Sequence, residues 1–178
     1  MGYTHYWGQK RSFTDNEWNA IMRCAEVIFA AEARGKVVLC SWDGTGKPEI
    51  TQEYISFNGD ETTGDDHETF RLDKNQPEKD SWVTAETYKK EGAFIFCKTA
   101  RKPYDSAVVR MLAMIKVVAP SAVDISSDGD AGVFRVAFSK KLKDILKKFK
   151  DGNGIPPLDT PTASTLDEFT ARFSMLDL

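Results

Sequence analysis

The chain has 178 residues, of which 41% are hydrophobic and 29% are charged, and its formal net charge is −3. These fractions are typical of a soluble globular protein and exclude a disordered or fibrous chain. A net negative charge also argues against duplex nucleic acid as a partner, because duplex binders usually need a clearly basic face. The length favours a single globular domain, which we place at residues 1–150.

The three cysteines, Cys24, Cys40 and Cys97, are odd in number, widely spaced and embedded in apolar segments. This pattern favours reduced core thiols over a disulfide framework. No apolar run reaches the length of a membrane span, and the first residues lack a signal-peptide pattern. The sequence therefore predicts a cytoplasmic protein without a membrane partner.

The first predicted element is a short aromatic strand, M-G-Y-T-H-Y-W. Alternation along a strand would place Tyr3, His5 and Trp7 on one face and Thr4 and Tyr6 on the other. Rings on both faces imply that both faces of this strand have contacts.

A long amphipathic helix is predicted next, because Thr14 and Glu17 form a capping-box pattern and apolar residues then recur at helical spacing. The helix should end near Gly35. Residues 37–42 predict a buried strand, and the D-G-T-G-K-P sequence after it is typical of a turn.

Two alternating stretches, residues 54–58 and 66–72, predict an antiparallel strand pair joined by the loop G-D-E-T-T-G-D. One face of the pair would be apolar. The opposite face would carry Tyr54, Ser56, Asn58, His67, Thr69 and Arg71. Antiparallel sheets often keep one solvated face, so this polar face is either a ligand site or ordinary surface.

Residues 92–120 predict a strand, a basic turn and a helix. The continuous apolar run 93–97 favours a strand that is buried on both faces near the middle of a sheet. Lys98, Arg101 and Lys102 follow, and Asp105 is placed to cap the helix. Backbone N–H groups and cations converging in such a turn predict an anion site. Solvated cations are the alternative, since the glycines of a phosphate loop are missing.

The last third of the chain predicts two strands and two helices. S-A-V-D-I-S-S-D-G-D indicates a strand that ends in a turn, and V-F-R-V-A-F indicates another strand. Ser139 would cap a helix whose lysines form a solvated face. Residues 151–163 are a predicted linker, and residues 164–178 a final amphipathic helix that packs back on the domain. Together the elements predict an α/β (α+β) fold with a single mixed, largely antiparallel sheet and helices packed on one face.

Few residues are suited to catalysis or metal binding. The chain has two histidines, His5 and His67, and no Cys or His spacing typical of zinc sites. The acidic run at residues 60–68 lacks the pattern of a calcium loop, so we expect neither a metal nor a cofactor. A triad of Ser126 or Ser127 with His67 and Asp128 lacks the glycine pattern of a nucleophile elbow, and we discount it.

One enzyme hypothesis rests on a specific motif. The sequence from His67 to Thr69 resembles the His-x-Thr motif of two-histidine phosphoesterases, which place two such pairs on neighbouring strands as base and acid. His5 also lies on a predicted strand, but Tyr6 and Trp7 follow it instead of a hydroxyl residue. His5 and His67 would be the catalytic residues of this alternative.

The opening M-G-Y-T-H-Y-W, together with N-G-D, H-E-T-F, F-C-K-T-A-R-K-P-Y-D and I-S-S-D-G-D, resembles a group of uncharacterised small proteins from phages and prophage-bearing bacteria. The resemblance covers most of the first 130 residues. That group has no assigned activity, so the resemblance implies no site residues. It implies a phage context and, for a phage-encoded chain, the host cytoplasm. Small phage proteins of this sort often sequester or degrade a nucleotide signal of host defence, or bind a host protein.

Our hypothesis from the sequence is a protein that binds a small nucleotide-like anion without altering it. Aromatic residues would stack on the base, cations would hold the phosphates, and polar groups would contact the edges of the ligand. The predicted ligand site comprises Tyr3, His5, Trp7, Tyr54, Asn58, His67, Thr69, Arg71, Lys98, Arg101, Lys102, Ser126 and Asp128. A host-protein interaction module that uses the aromatic first strand or the last helix is a further alternative, and assembly into a homo-oligomer stays open.

Overall fold

A computed structural model describes residues 2–130, 132–135 and 139–152. Within these residues the chain forms four α-helices and six β-strands. The helices are α1 (Asp15–Arg34), α2 (Ala85–Glu91), α3 (Asp105–Val118) and α4 (Lys140–Lys150). The strands are β1 (Thr4–Gln9), β2 (Glu49–Ile50), β3 (Tyr54–Phe57), β4 (Phe70–Asp73), β5 (Ala93–Lys98) and β6 (Val123–Ser127).

The strands form two separate antiparallel sheets, one in the order β5-β1-β6 and the other in the order β2-β3-β4. The α+β class is confirmed, and the prediction of a single sheet is wrong. The sheets meet where the Glu68 N–H donates to the Lys98 carbonyl at 3.2 Å. The Lys98 N–H donates in turn to the Glu68 carboxylate at 2.8 Å, so a side chain replaces the next backbone acceptor and the ladder stops there.

Strand β5 lies at an edge of its sheet and is exposed on one face, contrary to the prediction of a central strand. Phe94 and Phe96 are 61% and 50% exposed, whereas Ala93 and Cys97 are buried. A continuous apolar run predicts burial on both faces, but here the strand alternates between core and surface. This difference decides where the candidate site lies.

The buried strand predicted at residues 37–42 is also wrong. Only Cys40 pairs with a strand partner, Asn58, through an isolated bridge. Val38 and Trp42 are 55% and 65% exposed. The Ser41 N–H donates to the Thr45 carbonyl at 2.8 Å, so the chain turns directly after Cys40 and cannot extend a strand.

One hydrophobic core serves both sheets and the helices α1, α3 and α4. Trp7 of β1 is 1% exposed and lies against Phe70 of β4, with ring centroids 5.2 Å apart. Phe70 also stacks on Phe57 of β3 at 4.8 Å, so aromatic contacts join the two sheets. The predicted apolar face of β3 and β4 is confirmed, since Ile55 and Leu72 are fully buried with these rings.

The starts that capping residues predict for α1 and α4 are confirmed. The Thr14 hydroxyl accepts from the Glu17 N–H and the Glu17 carboxylate accepts from the Thr14 N–H, which together form the capping box of α1. Ser139 caps α4 through the Leu142 N–H. No described helix is both long enough and apolar enough to cross a membrane.

Parts of the predicted C-terminal region lie outside the described residues. Residues 132–135, which include the first three residues of V-F-R-V-A-F, form a turn with Phe134 buried, and residues 136–138 are not described. Residues 151 and 152 form a turn after α4. The rest of the predicted linker and the final helix at residues 164–178 lie beyond the described part of the chain.

Candidate functional site

The aromatic residues predicted to stack on a ligand lie mostly in the core or against other side chains. Trp7 belongs to the core between the two sheets. Tyr3 is 4% exposed, and the Arg101 guanidinium lies 3.8 Å from its ring centroid. Both side chains are therefore buried, and neither ring has an open face on which a base could stack.

The predicted polar face of β3 and β4 is largely occupied by contacts within the protein. Ser56 and Asn58 are only 2% and 3% exposed. The Asn58 side chain donates to the His67 carbonyl and accepts from the His67 N–H, both at 3.1 Å, so it holds the loop closed. Thr69 donates to the Trp42 carbonyl at 2.7 Å. These residues stabilise the loop, which explains their polar character without a ligand.

Two further predicted residues on this face contact each other. The Arg71 guanidinium lies 4.1 Å from the ring centroid of Tyr54. Arg71 also donates to the Asp73 carboxylate at 2.8 Å, and this contact raises the pKa of the guanidinium above its ordinary value. Both groups that were expected to bind a ligand are thus paired within the protein.

The loop that carries His67 packs against the predicted basic turn. The Lys102 ammonium donates to the Gly64 carbonyl, and the Glu68 carboxylate accepts from the Lys98 N–H. The structure therefore brings together two regions that are about 30 residues apart in sequence. His67 itself is exposed and lies before β4, not on the strand.

The two histidines are in different environments. His5 is fully buried, and both of its ring nitrogens have hydrogen-bond partners. His67 is exposed in a loop. A two-histidine phosphoesterase needs both imidazoles to face one phosphodiester, and this geometry does not present them in that way.

The outer face of the β5-β1-β6 sheet carries a cluster of rings, two exposed and one half-buried, that the sequence analysis did not select. These rings are Tyr6 on the central strand and Phe94 and Phe96 on the edge strand, and we call them the aromatic face. Tyr6 lies opposite Phe96 in the strand register and stacks on Phe94, with centroids 6.0 Å apart and planes 24° apart. Phe94 and Phe96 have centroids 6.1 Å apart. Period-two alternation in β1, which the sequence did show, is the signal that assigns Tyr6 to this face.

Charged groups lie at both ends of the aromatic face. Lys98 follows Phe96 on the same side of β5 and pairs with Thr4 in the register. Asp124 lies at the other end, where Lys10 and Lys116 contact its carboxylate. The hydrogen bond with Lys10 is the largest cause of the lowered pKa of Asp124. The face thus has a cationic end and an end with paired carboxylate charge.

A shallow hollow of about 220 Å³ lies beside Phe94 on this surface. It is lined by Tyr6, Trp7, Gly8, Glu91, Phe94, Asp124, Ile125 and Ser126. A Cβ atom on Gly8 would lie 2.2 Å from the Glu91 carbonyl oxygen, so only glycine allows the end of α2 to approach β1 here. Ser126, a predicted ligand residue, is exposed at this hollow. Asp128, another, accepts from the Tyr6 hydroxyl at 3.1 Å.

A second polar cluster lies on the buried side of the same sheet, and we call it the His5 network. The His5 ring contacts Asp105 through Nε2 at 2.8 Å and Ser127 through Nδ1 at 3.0 Å. The Thr99 hydroxyl donates to the same Asp105 oxygen. The Gly129 N–H donates to the Ser127 hydroxyl at 3.0 Å.

The turn before α3 builds one side of this network. Ala100 and Arg101 have φ values of 50° and 60°, in the left-handed region that non-glycine residues rarely adopt. This conformation lets the N–H groups of Thr99 and Ala100 both donate to the Tyr3 carbonyl. Asp105 was predicted to cap α3, but Tyr104 occupies the cap position and makes no side-chain capping bond. The Asp105 carboxylate instead contacts His5, a role that no local sequence pattern indicates.

Among the described residues, no group of three or more His, Cys, Asp and Glu side chains is arranged to hold a metal ion. No family model matches the chain, and neither the curated proteins nor the solved structures include a match. Any assignment of function therefore depends on the two clusters described above.

Proposed function

We propose that the protein binds a small nucleotide-like ligand and that the aromatic face stacks on its base. The observation that carries the proposal is the presence of three neighbouring rings on an open sheet face, two of them at least half exposed. Stacking on such rings contributes about 1–3 kcal/mol per base and tolerates any base. Exposed aromatics on antiparallel sheets serve this purpose in several single-strand-binding modules.

The cationic end of the face supports a phosphate-bearing ligand. Lys98 lies two residues after Phe96 on the same strand, which places both on the outer side. Within the described part of the chain, the Lys98 ammonium has no carboxylate partner. A base stacked on Phe96 would therefore have an available cation for its phosphate within the reach of one side chain.

The small extent of the face favours a small ligand over a long polymer. Three rings and the hollow of about 220 Å³ beside Phe94 offer a stacking surface for one or two bases. The net charge of −3 also argues against a polynucleotide, which usually needs a clearly basic face. In the phage context that the sequence resemblance implies, such binding would sequester a nucleotide signal of host defence.

The direct test is a thermal-shift screen against mononucleotides, cyclic oligonucleotides and nucleotide sugars. A ligand present at 100 times its dissociation constant stabilises the folded state by about 2.7 kcal/mol, which is a measurable rise in melting temperature. The shift should shrink in Phe96→Ala and stay unchanged in Trp82→Ala, since Trp82 is 76% exposed but lies outside both sheets. A shift of equal size in both variants would contradict the proposal.

Two further measurements extend this screen. Lys98→Ala should weaken binding of a nucleotide more than binding of the matching nucleoside, because only the nucleotide carries phosphate. Chromatography of the recovered ligand separates sequestration, which leaves it intact, from turnover, which cleaves it. If no nucleotide shifts the melting temperature, the proposed function is wrong.

A host-protein contact is the second candidate, and the exposure of Phe94 and Phe96 favours it as well. Contiguous exposed apolar surface often marks a protein-protein interface. A host protein captured by the wild type and by Lys98→Ala, but not by Phe94→Ala or Phe96→Ala, would support this candidate. Nucleotide added in excess should not release that partner.

A further inference from the structure

We propose that Ser127, His5 and Asp105 form a serine nucleophile with its base and a positioning carboxylate, and that Ser127 is acylated by carboxylic esters. The site is distinct from the aromatic face, because His5 lies on the buried side of β1 and the aromatic rings lie on the outer side. A failure to bind nucleotides would therefore not affect this site.

The hydrogen bonds show which group donates and which accepts between Ser127, His5 and Asp105. The Asp105 carboxylate can only accept, so the neutral His5 ring carries its hydrogen on Nε2 and donates it across 2.8 Å. Nδ1 is then an acceptor, and the Ser127 hydroxyl donates to it across 3.0 Å. The Gly129 N–H donates to the Ser127 oxygen, which leaves the Ser127 hydrogen free for His5. This is the proton arrangement that a serine nucleophile requires.

The three side chains come from separate elements, and each is held by further contacts. His5 is on β1, Asp105 is the first residue of α3, and Ser127 is the last residue of β6. The Thr99 hydroxyl donates to Asp105 and fixes its carboxylate. The His5 ring packs edge-on against Tyr3, with centroids 5.1 Å apart. Such a supporting shell keeps a catalytic geometry in place.

The base of the array is buried, whereas the nucleophile is partly exposed. His5 is fully buried, the Asp105 side chain is 23% exposed, and Ser127 is partly exposed. Ser127 is the residue that bonds to the ester. The leaving alkoxide and the attacking water each have to reach His5 Nδ1, and a group held at the Ser127 oxygen can do so because this nitrogen lies 3.0 Å from that oxygen.

One group near Ser127 is suited to the negative charge that develops on the ester oxygen. A Cβ atom on Gly129 would lie 2.4 Å from the Tyr3 hydroxyl oxygen, so that hydroxyl lies directly over the turn after Ser127. Among the described residues, the Tyr3 hydroxyl has no hydrogen-bond partner of its own, and a hydroxyl that can donate at this point would stabilise an oxyanion. The Arg101 guanidinium packs against the Tyr3 ring, 3.8 Å from its centroid.

The reaction balances without a cofactor. The Ser127 oxygen forms a bond to the acyl carbon, its proton moves to His5 Nδ1, and the bond from the acyl carbon to the alkoxy oxygen breaks. The proton on Nδ1 then passes to the leaving alkoxide, which departs as an alcohol. Water attacks the acyl-serine in the second half, giving its proton to His5 and releasing a carboxylic acid as Ser127 regains its hydrogen.

Labelling with a fluorophosphonate probe tests the nucleophile in the native wild-type protein. We expect one equivalent of probe on Ser127, located by mass spectrometry of the digested protein, and a burst of p-nitrophenol from p-nitrophenyl acetate. Ser81→Ala is the matched control, because Ser81 is exposed and lies outside both sheets, and it should label like the wild type. Ser127→Ala should lose labelling. Mapping in the wild type stays decisive even if Ser127→Ala does not fold.

Asp105 is tested separately as a positioning residue. Asp105→Asn should slow labelling by about tenfold or more, because the amide no longer fixes the His5 hydrogen on Nε2. Asp105→Glu should restore part of the rate. A purely structural role would lower the melting temperature of Asp105→Asn and leave the labelling rate of the folded fraction unchanged. Absence of probe on wild-type Ser127, or equal labelling of Ser127 and Ser81, would overturn the proposal.

Discussion

The rings of Tyr6 and Phe94 lie within 24° of parallel, with centroids 6.0 Å apart, although the two residues are on different strands. Both rings are on the outer side of the sheet, where Phe94 is 61% exposed. Offset aromatic pairs of this kind are worth about 0.5–1.5 kcal/mol beyond the area that they bury. The pair is also preformed, so a planar ligand that stacks on its exposed side would bind with little reorganisation.

Two substitutions of Tyr6 separate the contribution of its ring to ligand affinity from the contribution of its hydroxyl. Tyr6→Phe removes the hydrogen bond to Asp128 but keeps the stacking surface, so ligand affinity should change less than about threefold. Tyr6→Leu removes the ring and should lower affinity by about 5- to 100-fold, which corresponds to the loss of one stacking contact. Isothermal titration with whichever nucleotide the screen identifies measures both values. A large loss in Tyr6→Phe would instead assign the binding energy to the hydroxyl.

Trp7 is a buried tryptophan and Trp82 an exposed one, so substituting each of them tests the contribution of the core to stability. Trp7→Ala should lower the free energy of unfolding by about 3–5 kcal/mol, because Trp7 is 1% exposed and joins the two sheets through Phe70. Trp82→Ala should change it by less than about 0.5 kcal/mol, since the side chain is 76% exposed. Urea unfolding monitored by circular dichroism gives both numbers. Similar costs for the two variants would mean that Trp7 is not a core residue in solution.

Arg110 balances the charge of the buried Glu32 carboxylate, so the stability of the fold should depend on this pair. Glu32 is 4% exposed, accepts from Arg110 at 2.5 Å and from the Ser106 hydroxyl at 2.8 Å, and so links α1 to α3. Arg110→Ala should cost about 3 kcal/mol, because it leaves a buried charge without its partner. Lys147→Ala breaks an exposed pair and should cost less than about 1 kcal/mol. Comparable losses in urea unfolding would show that Glu32 is solvated after all.

Glu17 should make stability depend on acid pH. The Arg11 guanidinium, which donates twice at 2.8 Å, is the main reason that the pKa of Glu17 lies below its ordinary value of 4.5. A lowered folded-state pKa stabilises the fold above the unfolded value, and that contribution is lost as the pH falls through the folded value. Glu17→Gln should therefore cost about 1–2 kcal/mol at pH 7, and the difference from the wild type should vanish in strong acid.

Unfolding curves at pH 7, 5, 4 and 3 measure this dependence. Glu53→Gln serves as the control, because Glu53 is exposed and should give the same stability as the wild type at every pH. A stability difference for Glu17→Gln that stays constant down to pH 3 would contradict the role of the carboxylate charge.

The three thiols should be unreactive in the native protein. Burial is the largest cause of the raised pKa of each one, and it raises the pKa of Cys97 to about 12. Thiolate is the reactive form, so a disulfide exchange reagent such as DTNB should react slowly at pH 8 and then titrate three thiols in guanidinium. Rapid reaction of one thiol without denaturant would show that Cys40, beside the turn at Ser41, opens locally.

Local signals predicted most of the helices. The capping box at Thr14 and Glu17 and the cap at Ser139 act within one helical turn, so their effect can be read from a few residues. The antiparallel pair of β3 and β4 was likewise predictable, because its apolar alternation and its loop are close in sequence. The strand faces of β1 followed from alternation alone.

The edge position of β5 could not be predicted in the same way. A run of five apolar residues is compatible with one buried face or with two, and only the strand order decides between them. Phe94 and Phe96 consequently became a candidate site where the sequence indicated a core. The separation into two sheets had a similar cause, because it depends on the Glu68 side chain replacing a backbone acceptor.

The His5 network could not be predicted from the sequence, for a different reason. His5 and Asp105 are 100 positions apart, and His5 and Ser127 are 122 positions apart. Asp105 at the start of a helix has an ordinary local explanation as a capping residue, and nothing nearby indicates that its carboxylate faces a strand. Only tertiary structure brings these groups into contact.

The central position of β1 determines when its sheet can form during translation. β1 is the first strand of the chain, yet both of its partners, residues 93–98 and 123–127, are synthesised much later. At about 5–20 residues per second, β1 waits roughly 6–25 seconds for β6 after it has been made. Until β5 has been made, β1 has no strand partner at all, so its apolar side chains are exposed on the nascent chain and available to ribosome-associated chaperones. The helix α1, whose capping contacts are local, can form well before the strand that precedes it.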